Sequence, residues 1–149
     1  MIWFDGIQPT LDAANLNLDE TILGRLGIRM VEIGDDYIRG TMPVDARTHQ
    51  PYGLLHGGAS VVLAESLGSI GAALCVDRDR YRVVGLEVNA NHLRAVRDGQ
   101  VTGTAKPIHL GRTTQVWGIE IVNEAGKKTC VCRLTMAVID TKPQTVDQR

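Results

Sequence analysis

The chain has no excess of either charge, with 16 lysines and arginines against 17 aspartates and glutamates. That balance excludes a global basic footprint for nucleic acid and a polybasic membrane anchor, so an anionic partner has to be held by a local cluster. Metal-ligand spacing is also missing. Cys75, Cys130 and Cys132 are odd in number, no Cys/His pair completes a ligand set, and His49, His56, His92 and His109 are scattered. No metal is expected, and the thiols read as reduced and structural, with Cys130 and Cys132 on the same side of one strand. The opening Met1–Gly6 lacks a basic n-region and a long apolar core, so it does not resemble a signal peptide; the expected location is the cytoplasm. There is no repeat and no linker, and 149 residues of which 44% are hydrophobic suffice for one domain with a real core.

What the sequence does have is one long apolar run. From Gly57 to Val76 the only charged residue is Glu65, and the apolar side chains point all round a helical wheel, which predicts a helix buried on every side. The run is long enough to cross a bilayer. Four glycines, three serines, an acid costly in lipid and the absence of a second apolar segment argue against a span. Before the run lies a polar loop, Gln50-Pro51-Tyr52-Gly53-Leu54-Leu55-His56. A lone acid in such a helix is a place to look for chemistry.

The remaining segments predict strands and short helices. Residues 12–18 and 19–27 read as short helices, the second capped by Asp19 and stopped by Gly27. Residues 28–33 and 37–44 form a hairpin around Gly34-Asp35-Asp36. Strands follow over 82–92, 100–108, 113–123 and 129–139, with turns at Asp98-Gly99, Leu110-Gly111-Arg112 and Glu124–Lys127, and the polar tail from Asp140 is expected to be loose. The order of two strands, a buried helix and about four hairpin-joined strands demands an α+β fold, an antiparallel sheet packed on one central helix.

Three separated segments carry a resemblance: Gln50–Gly58 with Glu65 eight positions after Gly57, Val84-Gly85-Leu86-Glu87-Val88-Asn89-Ala90-Asn91-His92, and His109-Leu110-Gly111-Arg112. Over residues 20–139 the chain resembles the hotdog-fold acyl-CoA thioesterases. It is most similar to the branch that holds the 1,4-dihydroxy-2-naphthoyl-CoA thioesterase and the proofreading thioesterase of enterobactin synthesis. The first fifteen residues depart from that pattern. The resemblance implies a curled sheet wrapped around the central helix, a homodimer that assembles further into a homotetramer, and hydrolysis of aryl or medium-chain acyl-CoA thioesters. Acyl or aryl carrier proteins are a further partner class, and no separate cofactor is needed because coenzyme A is part of the substrate.

The site residues follow from the same likeness. The Gly57 N–H at the helix start would polarise the thioester carbonyl, with the helix dipole adding a favourable field. Glu65 would act as general base on water or as nucleophile, and burial should raise its pKa. At about 1.5 Å rise per residue the two groups lie roughly 12 Å apart along the axis, so the acid should come from the facing subunit. Gln50 and His56 resemble the family residues that orient the thioester, and Ser69, one turn beyond Glu65, is a candidate donor to it. The coenzyme A phosphates need local positive charge and N–H donors, for which Asn91, His92 and Arg94, together with Gly111 and Arg112, are candidates at strand ends. Two other classes share the thioester handle: a hotdog hydratase or dehydratase, and a non-catalytic acyl-CoA-binding protein.

Overall fold

The computed structural model describes residues 1–142, and the strands fall where the alternating runs lie. After a single turn of 3-10 helix at Phe4–Gly6 come α1 (Leu11–Ala14), α2 (Ile22–Arg25), β1 (Arg29–Ile33), β2 (Ile38–Pro43), α3 (Gly57–Leu74), β3 (Tyr81–His92), β4 (Gln100–Leu110), β5 (Thr114–Val122) and β6 (Lys128–Asp140). All six strands belong to one antiparallel sheet in the order β1-β2-β4-β5-β6-β3. The sheet wraps α3 in the hotdog architecture that the resemblance implied.

Period-two burial shows which face of the sheet meets the helix. Ile38, Gly40 and Met42 on β2, Val101, Gly103 and Ala105 on β4, Trp117, Ile119 and Ile121 on β5, and Cys130, Cys132, Leu134 and Met136 on β6 point inward. Glycines on both surfaces let the helix lie close. Gly40 and Gly103 are partners across β2 and β4, and a Cβ at either would come within 3 Å of a Leu67 methyl carbon, so the pair forms a notch for that side chain. Leu67 is fully buried there, which is worth about 2–3 kcal/mol. In return, Gly68 receives Leu134 and Gly71 receives the Trp117 ring. These fits fix the axial position of α3 against the sheet, and through it the positions of Gly57 and Glu65. The buried Trp117 indole keeps its polar atom satisfied by donating from Nε1 to Gln115 Oε1 at 3.0 Å.

Four sequence expectations need correction. The helix is not buried on every side: Ala59, Ser60, Leu63, Ala64, Leu67, Gly68, Gly71 and Ala72 are buried, whereas Val62, Glu65, Ser66, Ser69 and Ile70 are only half-buried. Asp19 does not cap the second helix. Its cap is Thr21, whose Oγ1 accepts from the Leu23 N–H at 3.3 Å, while Asp19 pairs with Arg29; the stop at Gly27, with φ of 71°, is as expected. Only β4, β5 and β6 form a meander, because the chain leaves β3 at one edge of the sheet and crosses to enter β4 beside β2. Finally, Asp140 ends β6 rather than starting a loose tail, accepting from Arg80 at 2.8 Å, while Thr141 N–H donates to the Arg80 carbonyl at 2.9 Å. The rest of the expected tail, 143–149, lies outside the described residues.

The position of β3 matters most for function. It is an edge strand of 12 residues, paired with β6 on one side and with nothing on the other among the described residues. Val84 is 45% and Leu86 61% exposed along it. A long apolar edge is a template for pairing with another chain.

Candidate active site

The loop ahead of α3 is held by its own backbone. Gln50 N–H donates to the Leu54 carbonyl at 2.8 Å, Gly53 N–H donates to the Gln50 carbonyl at 3.0 Å, and Gly53 takes φ of 74°, a conformation that favours glycine. His49 bonds the Arg97 carbonyl through Nε2 at 2.8 Å. The Gln50 side-chain oxygen accepts from the Tyr52 N–H, which leaves its amide NH2 as the group free to meet a ligand carbonyl.

His56 is the N-cap of α3. Its Nδ1 accepts from the Gly58 N–H at 2.8 Å, and its carbonyl accepts from Ala59 at 3.0 Å and Ser60 at 3.3 Å. Acceptance at Nδ1 places the ring proton of the neutral imidazole on Nε2. The cap thus consumes the N–H groups of residues 58 to 60. Among the described residues no acceptor meets the Gly57 N–H. One free donor therefore remains at the positive end of an 18-residue helix, which is the arrangement that favours a developing negative charge.

Around that donor the structure gathers several residues named from sequence. Gln50, Gly57, His92 and Arg94 line one groove of about 390 Å3, joined by Ser60 and Thr129. A Cβ at Gly57 would stand 2.8 Å from His92 Nε2, so the imidazole lies over the glycine. Arg94 is exposed and donates from Nη1 to the Lys128 carbonyl at 2.7 Å, which orients the guanidinium while leaving further donors available.

Glu65 stands elsewhere. It lies with Leu18, Thr21, Ile22, Leu23, Val62, Ser66, Ser69 and Ile70 in an apolar groove of about 450 Å3 between α2 and α3, and no hydrogen-bond donor reaches its carboxylate among the described residues. Ser69 shares that groove, but its hydroxyl is directed at Met136 Sδ, 3.7 Å away, and not at Glu65. The far end of Glu65 rests against β3: a Cβ at Gly85 would lie 2.6 Å from its Oε1. Gly85 was quoted within the sequence motif without a role. A glycine inside a strand signals a bulge or close approach, and here it marks both, since the β3–β6 register shifts between Gly85 and Glu87.

Three of the residues assigned to coenzyme A do not join either groove. Asn91 points to the other face of the sheet, where it lines a cavity of about 590 Å3 with Asn89, Lys106 and Arg133. Gly111 and Arg112 sit in the β4–β5 turn, where Gly111 N–H donates to the Thr114 carbonyl at 2.9 Å. The cysteines take no part. Burial pushes the thiols of Cys75 and Cys132 up to about 12, so both are protonated near neutrality and poor nucleophiles.

A sheet curled round one helix, with a free donor at the helix start and a single acid two turns on, defines a hotdog-fold enzyme of the acyl-transfer type. The family model described as Thioesterase superfamily matches residues 52–130. The chain is 54% identical over 139 residues to the 1,4-dihydroxy-2-naphthoyl-CoA hydrolase of Escherichia coli, covering 93% of this chain and 100% of that protein. It is 50% identical over 139 residues to the proofreading thioesterase EntH of Cronobacter turicensis, covering 93% and 99%. Among solved structures, a mutant of the thioesterase PA1618 from Pseudomonas aeruginosa superposes with a TM-score of 0.91 at 54% identity, covering 94% of this chain and 99% of that one. The chain belongs to the thioesterase superfamily, and it is a thioester hydrolase.

Proposed function

We propose that this enzyme hydrolyses aryl or medium-chain acyl-CoA thioesters to the free acid and coenzyme A, in a site built from two copies of the chain. The observation that carries this reading is the separation of its two halves. In one chain the Gly57 donor and the Glu65 carboxylate open into different grooves, and each is marked on β3 by a residue it touches: His92 over Gly57, Gly85 against Glu65.

The free edge of β3 supplies the way to join them. Consider β3 pairing antiparallel with β3 of a second copy about a two-fold axis near Asn89, roughly midway between Gly85 and His92. The Gly85 end of each strand then lies against the His92 end of the other, and Glu65 of one copy faces Gly57 of its partner. The pairing also covers Val84 and Leu86. Homotetramer formation from such dimers, and a cytoplasmic location, belong to the same reading.

In the shared site the Gly57 N–H bonds the thioester oxygen, and the Gln50 amide helps to hold the carbonyl in place. Glu65 takes a proton from water as the water oxygen forms its bond to the carbonyl carbon; alternatively its carboxylate makes that bond itself, and water then cleaves the anhydride. The negative charge that develops on oxygen is met by the N–H and the helix dipole, which is where a preorganised donor contributes most. The carbon–sulfur bond breaks, and the thiolate leaves as coenzyme A and takes up a proton. The acyl group would lie along Ile22, Leu23, Val62 and Ile70, in a groove of a size common for small-molecule sites.

The coenzyme A phosphates are assigned to His92 and Arg94, beside the donor. Arg94→Ala should raise KM for acyl-CoA several-fold and leave kcat within twofold, because a remote phosphate contact contributes mainly uniform binding. An unchanged KM at low ionic strength would remove Arg94 from the handle site. The reading as a whole is tested by a thiol-release screen over aryl-CoA, straight-chain acyl-CoA and carrier-protein thioesters. Release of free thiol from the aryl or medium-chain CoA esters is expected. Binding without thiol release would mark a non-catalytic acyl-CoA-binding protein, and an altered acyl chain with its thioester intact would mark a hydratase or dehydratase.

A further inference from the structure

We propose that Gly85 is a positioning residue for the reaction: it is the seat in the β3 backbone against which the Glu65 carboxylate is held. This inference rests on the assignment of Glu65 to the chemistry. Glu65 has no hydrogen-bond donor among the described residues, so something other than a polar partner must limit where its flexible side chain places the charge. Two surfaces do so. The apolar groove flanks the side chain with Val62 and Ile70 from α3 and with Ile22 and Leu23 from the α2 region, and the strand opposite presents a residue with no Cβ.

At that residue the space a methyl group would fill is the space Oε1 uses, with 2.6 Å between the two centres. Real Cβ and oxygen atoms do not approach that closely, so any larger residue at 85 must move the carboxylate. Among the described residues, the chain neighbours Val84 and Leu86 apart, the one other atom within 4 Å of that Cβ is Glu65 Cδ, at 3.7 Å. Gly85 has no positive φ, so its backbone conformation does not itself require glycine. It is also exposed in the single chain, on a strand that pairs only with β6 among the described residues. The adjoining bulge turns the strand at this point, and the next residue, Leu86, is left without a partner in the β6 register. The acid is therefore what an added side chain at 85 would meet, beside the bulge that the same glycine adjoins.

A substitution that moves a reacting group by about 1 Å can cost on the order of 100-fold in rate while leaving the protein intact. Gly85→Ala is thus expected to fold and assemble like the wild type, with a melting temperature within about 3 °C, and to lose at least 10-fold in kcat with KM changed less than threefold. A merely structural glycine would show the opposite pattern, lower stability with kcat per folded site retained. The second half of the test is coupling to the acid. Glu65→Asp retracts the carboxylate by one methylene and should be strongly impaired alone, but adding it to Gly85→Ala should cost less than threefold more, because both changes act on the position of the same group. Gly85→Ala with kcat within threefold of wild type, or costs that simply multiply in the double variant, would overturn the proposal. If Gly85→Ala fails to fold, Gly85→Ala combined with Glu65→Ala decides: restored folding supports the contact, and continued misfolding assigns the glycine to the bulge and overturns it. Glu65→Gln is assayed alongside. Near-normal turnover in that variant would remove the assignment of Glu65 itself, a failure distinct from an active Gly85→Ala in an enzyme that needs its acid.

Discussion

Glu65→Gln should lower kcat at least about 100-fold for every thioester the enzyme accepts, while the protein keeps its fold and its assembly. The substitution keeps the shape of the side chain, so it still fits against Gly85, but it removes the negative charge and leaves an amide too weakly basic to take a proton from water or attack a carbonyl. The fold should not notice. Among the described residues Glu65 makes no ion pair and accepts no hydrogen bond, and it is only half-buried in a groove whose walls are mostly aliphatic, with Thr21, Ser66 and Ser69 among them. Exchanging a carboxylate for an amide there is expected to move the melting temperature by no more than a few degrees. Steady-state thiol release, with circular dichroism and sedimentation as controls, makes the comparison. Activity within threefold of wild type would take Glu65 out of the mechanism.

The features read correctly from sequence are those that repeat along the chain or depend on one residue type. The α3 run, the β1–β2 hairpin and the turns at Gly99 and Gly126 were legible because apolar periodicity and glycines with φ of 74° and 71° leave little choice. What failed depended on neighbours. The hairpin expected between β3 and β4 is absent, and only the pairing order reveals that β3 is an edge strand with Leu86 in the open. In the same way, α3 read as buried on every side because apolar composition does not say how many faces of a helix the sheet covers, and Val62, Glu65, Ser66, Ser69 and Ile70 are left half-buried. Asp19 fails as the cap because α2 begins at Ile22, which puts Thr21 at the N-cap position and Asp19 two residues ahead of it.

The site shows the same division. Gln50, His56 and Gly57 were singled out by the likeness of their stretch to the family motif, and Glu65 also as the one acid of an apolar helix. Asn91 and His92 could not both face one ligand, since neighbours on a strand point to opposite faces; that objection was available from period two alone. Which of them meets Gly57 was settled by the register of β3 against β6, where His92 stands opposite the inward-facing Cys130. Ser69 was placed correctly on the Glu65 face of the helix, yet its hydroxyl is drawn to Met136 Sδ on β6, a neighbour 67 residues away that spacing on one helix does not reveal.

Two inactive variants should restore activity to each other if the site is shared. Glu65→Gln chains lack the acid, and Gly57→Pro chains lack the N–H donor. The proline is compatible with the fold at this position. Gly57 is the first residue of α3, where proline is well tolerated, and His56 before it has φ of −67° and ψ of 130°, the extended conformation that a residue preceding proline prefers. The nearest atoms to a Cβ at this position belong to the His92 imidazole, with Nε2 at 2.8 Å, and His92 is an exposed side chain that can swing aside. In a mixed dimer one of the two sites carries both lesions, and the other combines an intact Gly57 from one chain with an intact Glu65 from its partner. Random exchange makes about half of the dimers mixed, each with one working site, so thiol release should recover to about a quarter of the wild-type rate under this symmetric two-site arrangement. Mass spectrometry of tagged chains establishes that exchange has occurred, and a melt of the proline variant establishes that it is folded. With both conditions met, activity that stays at the level of the separate variants would place the donor and the acid in the same chain, and β3 pairing would lose its role in forming the site.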